Sequence, residues 1–136
     1  MRLFHFTALH HLEGGWPADA HAGFGIRNIG IRPNRHPLIA LPALVWLTED
    51  GDWQQMWSPR PVPGINCDRT EVRIEVIVPK SSRAKLLTVD RIVPFVDPGW
   101  REDFTGGFDL RAWRAFPGSI PVGWLRTVLH RERLAA

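Results

Sequence analysis

The sequence predicts a strand-rich α+β domain with one or two short helices, and three observations carry that prediction. A period-two apolar alternation runs through "CDRTEVRIEVIVP". A short apolar run, Ala43 to Leu47, is bounded by Pro42 before it and by Glu49-Asp50-Gly51 after it. Twelve prolines and twelve glycines fall throughout the chain, which cuts it into short elements joined by turns.

The elements follow in order. Residues 2–7, "RLFHFT", read as the first strand, with Leu3, His5 and Thr7 on one side and Phe4 and Phe6 on the other. The Phe side is greasy and anchors the strand. A buried imidazole and hydroxyl both need hydrogen-bond partners, so the His5 side is either an ordinary half-exposed surface or the floor of a site. "ALHHLEGG" reads as a short helical stretch stopped at Gly14-Gly15. "WPADAHAGFGIRNIGIRPNRHP" reads as a long irregular connection with one short strand at 24–31, and connections of this length are often functional.

The run ending in "VWLT" is a second, buried strand that stops near Thr48. "GDWQQMWSPRPVPG" is too broken by proline for more than a turn or a single helical turn. In the alternating segment Val72, Ile74, Val76 and Val78 interleave with Glu71, Arg73 and Glu75, a half-buried strand with a charged face and strong β-branched content. "AKLLTVDRIVPFV" fits a helical start ended by Pro94 and an extended run equally well. "DLRAWRAF" is a helical turn or a strand, and "SIPVGWLRTVLHRERL" closes the chain as a strand or a short helix.

A length of 136 residues suits one domain, residues 1–136, that buries about two-thirds of its unfolded surface. At 44% hydrophobic and 23% charged the chain is too apolar for intrinsic disorder. No run approaches the ~20 apolar residues of a membrane span, and the N-terminus lacks the basic and apolar regions of a signal peptide. The expectation is a cytoplasmic protein with no membrane partner. The lone Cys67 agrees, since it makes no intrachain disulfide and no cysteine-based zinc site, and it reads as a buried inert thiol. Lys and Arg exceed Asp and Glu by 17 to 14, and Lys80 and Lys85 are the only lysines. Arg suits bidentate phosphate contacts, but a GC-rich genome explains the same bias, so the charge permits nucleic-acid binding without demanding it.

Several chemistries find little support. His5, His10, His11, His21 and His36 show no His-x-x-x-His helix, and no Cys-x-x-Cys spacing accompanies them, so no metal site is expected. "GFGIRNIG" misses the dinucleotide-binding glycine spacing. Cys67 beside Asp68 would need a base such as His36 brought to it by the fold. "DWQQMWSPRPVP" offers Trp and Arg for base stacking and phosphate contact, or else simply pins a proline-rich loop to the core.

Three features remain: His5-x-Thr7, the Trp46–Thr48 end of "VWLT", and the acidic face of "TEVRIE". Taken in order, "LFHFT…HHL", a Gly/Pro-rich loop, "VWLT" and "CDRTEVRI" resemble a family of small proteins of actinobacteria and their phages. The His-x-Thr strand is in turn similar to that of the ADP-ribosyltransferase-like superfamily, which includes DNA ADP-ribosylating toxins and RNA 2′-phosphotransferases. The family resemblance covers about the first half of the chain, with a vaguer echo in "PGSIPVGWLRTV".

It implies a split, strongly bent β core that cradles NAD as substrate and transfers ADP-ribose to DNA, RNA or a protein acceptor. His5 and Thr7 would then contact ribose hydroxyls, and Trp46 would stack on nicotinamide. A glutamate, Glu71 ahead of Glu75, would stabilise the oxocarbenium-like transition state. Arg73 or Arg69 would hold the pyrophosphate, unless they pair with those carboxylates. The chain has no tyrosine, so the superfamily's His-Tyr-Glu arrangement is unattainable and Trp46 alone can substitute. The alternative is a non-enzymatic phage or host-interaction protein that inhibits or binds a partner through its Trp/Arg-rich loops.

Overall fold

The computed structural model describes residues 1–7, 12, 25–52, 71–105 and 111–130. Within them six strands build one open antiparallel sheet in the order β4-β5-β2-β1-β3-β6. β1 spans Arg2–Thr7, β2 Val45–Thr48, β3 Val72–Ile77, β4 Leu87–Thr88, β5 Trp113–Phe116 and β6 Leu125–His130. One short helix, α1 at Arg101–Thr105, joins helical turns at Ile26–Ile29 and Val89–Ile92 and several 3-10 turns. The strand-rich α+β class is therefore borne out. No helix among the described residues is long and apolar enough to cross a membrane.

The pairing is uneven. β1 pairs with β3 along all six of its residues, from Arg2–Ile77 to Thr7–Val72. β2 pairs with β5 along all four of its own, from Val45–Phe116 to Thr48–Trp113. Between β1 and β2, however, the register consists of the single pair Phe4–Thr48. The sheet is thus two well-zipped halves, β4-β5-β2 and β1-β3-β6, split at one junction.

Alternation along β3 is complete: Val72, Ile74, Val76 and, just beyond the strand, Val78 are all 0% exposed. They share a face with Leu3, Val45, Leu47 and Phe116, and Ile26, Ile31 and Ile120 pack onto that face as the main core. Ile74→Ala should cost about 3 kcal/mol, the usual penalty for a cavity in a core that cannot collapse, measurable by urea denaturation. A second cluster covers the opposite face of the β4-β5-β2 half. There Ile39, Leu44, Ile92, Val96 and Ala115 meet Trp46, Trp100 and Phe104.

Two expectations need correction. The short strand at 24–31 is instead the helical turn Ile26–Ile29 followed by an isolated bridge from Ile31 to Ile120. Gly25 and Gly30 bracket the turn at φ 76° and 82°, a backbone region that interrupts any extended run. Nor is the Phe side of β1 a plain greasy face: register sets Phe4 opposite Glu75 and Phe6 opposite Arg73, on the charged side of β3. Both rings are nevertheless buried, at 7% and 4% exposed.

The segments left open between alternatives also resolve. "AKLLTVDRIVPFV" is extended at Leu87–Thr88, then helical at Val89–Ile92, then a 3-10 turn at Val93–Phe95. Pro94 sits near the start of that turn, where its missing N–H is no loss. "WRAF" is strand β5, and a 3-10 turn at Val122–Trp124 leads into β6. Of "ALHHLEGG" only Leu12, buried in the main core, lies among the described residues. His10, His11, His21, Cys67, Asp68, Arg69 and the Trp/Arg stretch at 53–63 lie outside them.

Candidate functional site

Beside the single β1–β2 register pair, side chains also link the two halves of the sheet. On the main-core face His5 reaches across: its Nδ1 lies 2.9 Å from the Trp46 carbonyl oxygen. A carbonyl only accepts, so Nδ1 carries a proton and donates this hydrogen bond. Thr7, two residues along the same face, is 2% exposed and lies opposite Val72.

On the other face Arg73 makes the second link. Its guanidinium lies over the Phe4 ring, 4.9 Å from the centroid, and Nη1 donates to the Gly51 carbonyl just past the end of β2 at 2.6 Å. Arg73 therefore ties β3, β1 and the end of β2 together. A Cβ at Gly51 would sit 3.1 Å from both the Phe4 ring and the Arg73 guanidinium, so glycine lets the chain approach the clamp closely. Arg2 lies 5.0 Å from the same ring centroid and pairs with Glu75 at 2.6 Å. Thr48, 0% exposed, accepts from the Asp50 N–H and turns the chain at the end of β2.

The seam does not gather every residue the sequence nominated. His5 and Thr7 share its main-core side. The Trp46 backbone meets His5, but its indole lies on the opposite face, edge-on to Phe104 at 5.9 Å within the second cluster. Glu75, opposite Phe4, is also on that second face and engaged by Arg2. Glu71 is half-buried in the bend just before β3, at the Thr7 end of the seam. His5 pairs with Ile74 and Thr7 with Val72, so Glu71 immediately precedes the residue of β3 that faces Thr7. No register pair includes Glu71, and what distinguishes the two glutamates is the Arg2 guanidinium that holds Glu75.

The roles of Arg2 and Gly51 carry no signal in the sequence. Both depend on partners more than 20 residues away, which no local pattern encodes. A surface depression lined by Arg35 and Ala40 to Ala43 contains none of the nominated residues. Among the described residues no three His, Cys, Asp or Glu side chains cluster as metal ligands would. Compared with protein-family models, curated proteins and solved structures, the chain matches none of them.

Proposed function

We propose that the protein binds NAD at the β1–β2 seam and transfers its ADP-ribose to a macromolecular acceptor. The observation that supports this reading most is the lapse of the ladder to the single pair Phe4–Thr48 beside the His5-x-Thr7 strand. That short pairing places an imidazole, oriented by the Trp46 carbonyl, at the junction of the two halves. In this reading His5 and Thr7 supply the contacts to ribose hydroxyls. Arg73 holds the seam closed from the far face rather than gripping pyrophosphate.

The chemistry needs one carboxylate. The bond between nicotinamide nitrogen and ribose C1′ breaks, its electron pair leaves with nicotinamide, and positive charge develops on the ribose. Glu71 stabilises that charge while an acceptor nucleophile bonds to C1′ and releases its proton to solvent. Glu75 is assigned no role in the reaction, because its carboxylate is paired with the Arg2 guanidinium at 2.6 Å. With labelled NAD and DNA, RNA or lysate, Glu71→Gln should lower transfer on the order of 10²–10³-fold and leave NAD binding intact. Glu75→Gln should transfer at close to the parent rate. Inactivation by Glu75→Gln instead, or no transfer and no nicotinamide release by the parent protein, overturns the assignment.

A second reading, a non-enzymatic interaction module, is favoured by one observation: the Trp46 indole and Glu75 lie across the sheet from His5. It predicts no nicotinamide release with any acceptor.

A further inference from the structure

Residues 40–43 lie between two isolated bridges, Ile39 with Val96 on one side and Leu44 with Asn34 on the other. Ile39 and Leu44 are buried in the second cluster, at 3% and 5% exposed, and of the four residues between them only Leu41 has a large side chain. Short side chains between two anchored ones leave the surface low. Ala40, Leu41, Pro42 and Ala43 line, with Arg35, an open depression of about 540 Å³. Its backbone donors are mostly spent: the Ala40 N–H donates to the Phe95 carbonyl at 2.8 Å, the Leu41 N–H to the Ile39 carbonyl at 2.9 Å, and Pro42 has none. The floor is therefore apolar. Phe95, joined to Ala40 by that backbone bond, is 46% exposed and adds apolar surface beside it.

Arg35 supplies the charge of this lining. The Asn34–Leu44 bridge, with hydrogen bonds of 3.0 and 3.1 Å, sets Arg35 opposite Ala43. Arg35 is exposed, and among the described residues it takes no hydrogen bond or ion pair. Other arginines are engaged: Arg2 by Glu75, Arg101 by the Val96 and Pro94 carbonyls, Arg126 by the Gly123 and Leu125 carbonyls. Asp97, two residues past Phe95, has its carboxylate on the Gly99 N–H at 2.9 Å.

We infer that this depression is a docking surface for an acidic segment of a partner protein, which seats an apolar side chain against residues 40–43 and sets a carboxylate on Arg35. Exposed apolar ground beside a guanidinium suits a protein contact, and Arg matches a carboxylate bidentately. One cation is too few for a nucleic-acid backbone, whose affinity rests on several phosphate contacts, and the open shape does not enclose a small molecule. The depression shares no lining residue with the seam, so the inference goes beyond the NAD reading.

NMR titration of the full, isotopically labelled chain with the blocked tetrapeptide leucine-glutamate-glutamate-leucine tests it. Saturable shifts are expected at the amides of Arg35, Ala40, Leu41 and Ala43. Replacing both glutamates of the peptide by glutamine, or Arg35→Gln in the protein, should each weaken binding about threefold, and the two together no further. Ala40→Glu places a carboxylate that takes Arg35 for itself and repels the peptide, and it should weaken binding about tenfold. Lys80→Gln, on the 3-10 turn after β3, should bind as the parent does. Circular dichroism and melting temperature establish that each variant is folded. The inference is overturned by absence of saturable shifts at those amides, by equal binding of the glutamate and glutamine peptides, or by parent affinity in Arg35→Gln. It is also overturned by a single-stranded oligonucleotide that shifts the same amides at lower concentration, or by a dimer in sedimentation velocity that Ala40→Glu dissolves, which would make a second copy the occupant. NAD titration of Arg35→Gln should give the parent affinity, so failure of this surface and failure of the NAD reading register separately.

Discussion

Gly30→Ala is expected to lose about 4 kcal/mol of stability, a large share of what a domain of this size has. Two costs add. Gly30 sits at φ 82°, ψ −169°, a region in which a side chain is strained by about 1–3 kcal/mol. Its Cβ would also lie 2.1 Å from the Ile120 oxygen and 3.1 Å from the Val122 nitrogen, both backbone atoms that no rotamer change can move. To relieve the clash, the Ile31–Ile120 bridge has to open. Thermal unfolding should show a melting temperature lower by about 10–15 °C. Gly123→Ala is the control: nothing lies within 4 Å of its added Cβ, and its stability should stay within about 0.5 kcal/mol of the parent.

His5→Ala has the larger functional effect. It removes the hydrogen bond to the Trp46 carbonyl, at a stability cost of about 1 kcal/mol, because the half-buried seam lets water take the imidazole's place. It also removes the proposed ribose contact, which should raise the NAD dissociation constant roughly 10- to 100-fold. The two effects separate experimentally. A variant that melts slightly earlier and binds NAD as the parent does would show that His5 only stitches the halves of the sheet. His5→Phe keeps ring packing without the hydrogen bond, and it should lose NAD binding to the same extent.

Some of this architecture is legible in the chain itself, and the reasons are physical. β1, β2 and β3 are readable because their apolar residues either alternate or run together between proline and acidic turn signals. The "WRAF" strand is not, because four residues with an arginine in the middle fit a helical turn as well. The segment at 24–31 misleads because Ile26, Ile29 and Ile31 suggest extended structure, while the two glycines at positive φ decide otherwise.

The site was legible to the same degree. That His5 and Thr7 share a face follows from the two-residue period alone. That Glu75 lies across the sheet from His5 follows from the register His5–Ile74, which links positions 69 residues apart and leaves no mark in either segment. The polar oddity in "LFHFT" nevertheless marked the junction where the ladder stops, since a histidine in a buried strand needs a partner and found it in the backbone of β2.

Whether the seam holds NAD is decided by calorimetric titration of NAD into the full chain. The expected result is saturable binding of one NAD per chain, lost in His5→Ala and retained in both Glu75→Gln and Glu71→Gln. The absence of any binding heat in the parent protein, or binding indifferent to His5, would contradict it.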